Sequence, residues 1–254
     1  MTTTAPPTQD ARATPVLRLT RGGRTALLVC AWSGPLVVVV AFAGWLVAGV
    51  LPFPLGPNRT PAEVVAFYAG GVHVPLGIAL ASVGVGLVSP LIAGITLVMR
   101  RGDERTPVLT AVQLVTGVVT AMCLLVPMLI MATAGFRPER MPDVTVALND
   151  LAWLLFITPI APFIIQDLAI AAHVLTRPRP LLPRWIGFLN LFVAFSFSFD
   201  VVTFAFRSGP FAWNGFLIFW LALTTYAIWL VVMCHGVRRA ALAATVVDDE
   251  EGDP

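Results

Sequence analysis

The chain has 254 residues, of which 57% are hydrophobic and 12% charged, with a net charge of +2. Soluble domains carry about 25% charged residues, so a water-soluble globule is excluded, and no cluster of basic side chains marks a nucleic-acid partner. All 16 basic residues are Arg, a usage expected of a GC-rich bacterial coding preference.

Six apolar stretches are each longer than the about eighteen residues that cross roughly 30 Å of hydrocarbon as a helix. The sequence therefore predicts an all-α, polytopic membrane protein built as a bundle of six transmembrane helices. Residues 1–24, rich in Thr, Ala and Pro, are expected to be a disordered cytoplasmic tail. The first apolar stretch is too long for a signal-peptide core and has no convincing A-x-A cleavage site, so it is taken as a retained helix one, about Thr25 to Leu51. In the loop that follows, Thr60-Pro61-Ala62-Glu63 has the spacing of a capping box with Pro at the first helical position, and Gly70-Gly71 supplies a stop. A short helix from Pro61 to Ala69 on the outer face is expected, covering helix ends or lying among headgroups.

Helix two is expected at about Val74 to Met99, with Ser82, Gly86, Pro90 and Gly94 as a ridge of small residues for close helix packing. Helix three runs from about Val108 to Gly135 and places Gln113, Thr116, Thr120, Cys123 and Pro127 within one quadrant of the wheel. In the next loop Arg137, Glu139, Arg140 and Asp143 alternate in sign, as in a solvated turn. Helices four, five and six follow at about Asn149 to Leu175, Trp185 to Phe206 and Ala212 to Val237. Residues 240–254 end in Asp248, Asp249, Glu250, Glu251 and Asp253 and read as a disordered acidic tail.

Arginines sort by side. Twelve precede helix one, lie in the second and fourth loops, or follow helix six, against four (Arg59, Arg137, Arg140 and Arg207) on the other side. The positive-inside rule then puts both termini in the cytoplasm of a bacterial inner membrane.

Ionisable groups deep in a bilayer cost at least ~2.5 kcal/mol on insertion scales, so each asks for a partner or a purpose. Asp167 lies in helix four beside Gln166, after Pro159 and Pro162. Two prolines three apart remove two amide donors and should interrupt the helix between Thr158 and Pro162, as at many transporter binding sites. Asn190 is its expected partner by depth. In helix five, Ser196, Asp200, Thr203 and Arg207 form one polar ridge, with Asp200 expected to face inward and to be held by Ser196, Thr203 or a group from another helix. Phe188, Phe192, Phe195 and Phe199 form an adjoining ridge that suits lipid or a cavity wall.

Cys30, Cys123 and Cys234 lie inside apolar spans as small hydrophobes rather than as a disulfide framework. His73, His173 and His235 lack the further Cys, His or Glu that a metal or haem site requires, and no Ser, His and Asp share a depth, so no catalytic constellation and no cofactor are expected. The candidate ligand-binding residues are therefore Asp167, Gln166, Pro159, Pro162, Asn190, Asp200, Ser196 and Thr203. Their partners would be the lipid bilayer and a small hydrophobic or weakly polar ligand. The alternative is an accessory or scaffold subunit, packing against another membrane protein or a second copy through the helix-two ridge and the aromatic helices.

Overall fold

The computed structural model describes residues 17–101, 107–137 and 139–247; Arg12, Arg105 and the acidic residues from Asp248 onward lie outside them. The chain is a helical bundle with six segments long and apolar enough to cross a membrane, beginning at Arg21, His73, Val108, Pro142, Arg184 and Phe216. It is a multi-pass membrane protein. Large apolar side chains such as Val29, Val39, Phe188 and Phe195 are exposed around the outside, where lipid rather than water is their solvent. Between the spans lie two buried apolar clusters, one toward the end bearing the termini and one toward the opposite end.

The first span, α1 (Arg21–Val47), starts four residues before the apolar run because the Thr20 hydroxyl caps it, accepting from the Gly23 amide at 3.1 Å. It stops short of Leu51 where Gly49 adopts a φ of +74°, which ends the helix at low cost only because Gly has no Cβ. The expected short helix is α2 (Pro61–Tyr68), with its capping box formed: Thr60 Oγ1 accepts from the Glu63 amide at 3.3 Å and Glu63 accepts from the Thr60 amide at 2.8 Å. The Thr60 amide, its hydroxyl and Arg59 hold the Glu63 carboxyl below its ordinary range. Tyr68 anchors α2 by donating to Asn149 at 3.1 Å, and burial pushes its phenol above the usual value.

The second span is split into α3 (His73–Gly86) and α4 (Val88–Arg101). Pro90 has no amide to offer the Gly86 carbonyl, and Leu87 turns back onto Gly84 at 3.1 Å. The small-residue ridge is not the expected one. Gly86 meets nothing within 4 Å, whereas a Cβ on Gly77 would stand 2.6 Å from the Gly44 carbonyl of α1, and one on Gly44 would stand 2.6 Å from the Gly77 carbonyl. Gly77, Ala81 and Gly84 therefore let α3 lie against α1 almost backbone to backbone, a different face from the one counted at intervals of four.

The third span is α5 (Val108–Phe136). The fourth begins seven residues earlier than expected, at Pro142, whose fixed φ and missing amide suit a first helical position. It consists of α6 (Pro142–Ile157) and α7 (Ala161–Thr176), separated at Thr158 to Ile160, so the interruption lies where the prolines placed it. The fifth is α8 (Arg184–Phe197) followed by a 3-10 segment, Ser198–Ala205, rather than α-helix to Phe206; Ser198 and Ser196 spend their hydroxyls on carbonyls three residues back, which favours the tighter turn. The sixth starts at Phe216, four residues later than expected, because the Gly215 amide closes a turn on Ala212 at 2.7 Å. It opens with a π-helical turn and continues as α9 (Leu221–Leu242).

The tails differ from expectation next to the membrane. Residues 17–24 and 240–247 are ordered: β1 (Arg18–Leu19) pairs in parallel with β2 (Thr245–Val246), the Thr245 amide donating to Leu17 at 2.8 Å and Val247 to Leu19 at 3.0 Å. Leu17 and Leu19 are buried in the core cluster, and that apolar burial is what holds so short a bridge.

Candidate functional site

The interruption of the fourth span shapes a cavity. Pro159 and Pro162 have no amide hydrogens, so the carbonyls of Leu155 and Thr158 lose their helical donors. The chain closes the gap by turning the Ile160 amide onto Thr158 at 2.8 Å, and α7 restarts with Ile164 donating to Ile160 at 3.0 Å. Ile157 and Ile160 flank this break and line a cavity with about 50 Å³ open to the centre of a water molecule, enough for a few waters at about 10–15 Å³ each.

Opposite the break stands Asp200, on the 3-10 segment. It is 3% exposed, lines the cavity, and its Oδ1 is buried without a hydrogen-bond partner. The tighter winding of Ser198–Ala205 displaces the ridge read from 3.6-residue spacing. Ser196 bonds Val193 at 2.8 Å and Thr225 of α9 at 3.2 Å instead of Asp200, and the Thr203 hydroxyl is itself buried without a partner. Asp200 faces inward as expected, but neither predicted neighbour holds it. Arg207 is exposed beyond the segment.

The cavity's aromatic wall comes from four helices. Phe156 and Phe163 belong to the broken span, Phe197 to α8, and Phe219 and Tyr226 to the sixth span. Phe163 packs on Phe197 with centroids 5.1 Å apart and edge-on to Tyr226 at 5.9 Å. The Tyr226 hydroxyl is buried without a partner. By contrast Phe188, Phe192 and Phe195, three of the ridge picked out in the sequence, are exposed at 62%, 53% and 61% and face outward. A second cavity, lined wholly by apolar groups apart from Tyr226, adjoins the first through Leu124, Phe156, Leu223 and Tyr226 and extends to Val37 and Trp45 of α1.

Tyr226 stacks on Trp229, one turn further along α9, at 5.6 Å and 9°, and Trp229 opens a polar layer nearer the terminal end. Its indole donates to Asn190 Oδ1 at 2.9 Å and reaches the Asp167 carboxyl. Asn190 spends its amide on Ile186 at 2.7 Å, so Asp167 and Asn190 meet through Trp229 rather than directly. Asp167 and Gln166 are 4% and 3% exposed. The Gln166 side chain lies over Gly117 of α5, where a Cβ would come within 2.9 Å of its Nε2. On the same face of α5, Gln113 accepts from Thr96 at 2.9 Å. Buried, unpartnered atoms recur along this seam at Thr110, Gln113, Thr120 and Gln166.

The eight expected site residues thus fall into three groups. Asp200 and the Pro159–Pro162 break share the cavity; Asp167, Gln166 and Asn190 form the layer beneath it; Ser196 and Thr203 lie on the fifth span without lining either. Sequence reading missed Trp229 and Tyr226, because an aromatic in an apolar helix looks like packing or an interfacial anchor until its polar tip is seen to be buried. Among the described residues no group of three His, Cys, Asp or Glu could hold a metal ion. His173 donates from Nε2 to the Met99 carbonyl at 3.0 Å, and His235 packs against Trp185 at 6.3 Å. No known protein family, characterised protein or solved structure matches the chain.

Proposed function

We propose that the protein binds a small apolar or weakly polar molecule inside the membrane, in the cavity between the interrupted fourth span, the 3-10 segment of the fifth and the start of the sixth, as a step in its permeation. The observation that carries this reading is a nearly apolar cavity lined by Tyr226 and by Asp200, whose Oδ1 is buried without a partner. A buried polar atom without a partner costs about 1–3 kcal/mol, and ligand pockets combine an apolar lining with a few such groups. A cleft beside a broken helix is also where transporters hold their substrates. The Arg distribution supports a bacterial inner membrane with both termini cytoplasmic. The second reading, a scaffold role, keeps one observation in its favour: Gly86 of the expected ridge on helix two is exposed and meets nothing within 4 Å, which leaves that face open to a partner.

The test fills the cavity. Ala222 lines it, and Ala222→Phe occupies the space while leaving Asp200 in place. Native mass spectrometry of the full chain in mild detergent is expected to show a small molecule retained by the wild type and absent from the variant. Retention of the same adduct by both would place the binding elsewhere.

A further inference from the structure

Resting on that reading, we infer that the ligand is a lipophilic amine, held as its ammonium by Asp200 among the aromatic side chains, with its apolar body running into the adjoining cavity. Asp200 lines the cavity with an Oδ1 that is buried and lacks a hydrogen-bond partner. A primary ammonium has three N–H donors, so it supplies the missing hydrogen bond and compensates the carboxylate's charge.

The walls favour the same chemistry. Phe156, Phe163, Phe197, Phe219 and Tyr226 surround the space, and aromatic faces attract cations, more strongly where water is excluded. No Arg or His is among the lining residues. The next ionisable side chain inward is Asp167, near Tyr226, which again favours a positive guest and disfavours an anion. An alcohol of the same shape also donates a hydrogen bond but brings no charge to compensate the carboxylate. The second cavity shares Leu124, Phe156, Leu223 and Tyr226 with the first and carries no polar lining surface, so a chain attached to the ammonium nitrogen has an apolar place to lie.

Calorimetric titration of the purified full chain with hexylammonium chloride, 1-hexanol and sodium hexanoate separates charge from shape. Hexylammonium is expected to bind about tenfold or more tightly than hexanol, as removal of a desolvated charge partner requires, and hexanoate not to bind. In Asp200→Asn the preference for the amine should vanish while hexanol affinity is kept. Equal affinity of amine and alcohol in the wild type, a comparison that needs no variant, would overturn the amine assignment and leave the cavity reading standing. If no probe binds the wild type, or Ala222→Phe binds all three as the wild type does, the cavity reading falls with it.

Discussion

Replacing Gly77 by Ala should damage the bundle, whereas the same change at Gly86, about two and a half turns along the same span, should not. A Cβ at position 77 would lie 2.6 Å from the Gly44 carbonyl oxygen and 2.8 Å from Ala48 Cα, where ordinary contact begins at 3.4 Å. Both are backbone, as is the Ala48 amide nitrogen, which stands closer still, so none can swing aside. A shortfall of at least about 0.8 Å must be met by moving α3 off α1. A gap of that size forfeits about a quarter to a half of each dispersion contact it opens, and overpacking of this kind typically costs about 1–3 kcal/mol. Ala recovers up to about 1 kcal/mol of helix propensity at either position, which leaves Gly77→Ala about 1–3 kcal/mol less stable than Gly86→Ala. At Gly86 nothing lies within 4 Å, so only the propensity gain operates. With about 2–4 °C per kcal/mol for chains of this size, thermal melts in one detergent should show Gly77→Ala about 2–12 °C below Gly86→Ala, and Gly86→Ala unchanged or higher than the wild type. Equal melting of the two variants would refute the close α1–α3 seam.

Trp229→Phe removes the donor to Asn190 and the contact with Asp167; it should lower stability by about 1–3 kcal/mol through unsatisfied buried acceptors, read as an earlier melt, and an unchanged melt would mean the layer is not held by the indole. The α2 cap should be sensitive to acid: because the Thr60 amide and hydroxyl and Arg59 hold the folded Glu63 carboxyl below the ordinary carboxylate range, its contribution is fully present above that range and is lost as pH falls through the lower, folded value. Hydrogen exchange at Val64 to Tyr68 should therefore accelerate only under acid conditions, and Glu63→Gln should remove the dependence. On a background lacking Cys30, Cys123 and Cys234, an impermeant thiol reagent added outside cells should modify Asn58→Cys and spare Pro178→Cys; the reverse pattern would invert the orientation.

What the sequence made legible was what depends on local chemistry. Thr60 and Glu63 announced α2 because a capping box is a relation between residues three apart, and Pro159 with Pro162 announced the break because missing amides cannot be replaced by context. The six spans follow from the cost of exposed backbone in hydrocarbon. Where packing between distant segments decides, the reading failed. Gly86 and Gly77 carry the same propensity, and only the position of α1 makes one of them indispensable. Asp200 pointed inward as expected, yet its supposed neighbours moved away because Ser198–Ala205 wound to three residues per turn instead of 3.6. Trp229 as the link between Asp167 and Asn190 joins three spans, a relation without any local signature. The order of residues 17–24 likewise depends on a strand more than two hundred residues away.

The central claim is that an intramembrane cavity, opened by the break at Thr158 to Ile160 and faced by Asp200, holds a ligand. An experimental density map of the full chain in a lipid environment tests it most directly. The account predicts a fourth span interrupted at those residues, the Asp200 carboxyl turned into the bundle, and density beside it bounded by Phe163, Phe219 and Tyr226. A continuous fourth helix with Asp200 directed at lipid and the aromatic side chains collapsed together would contradict it.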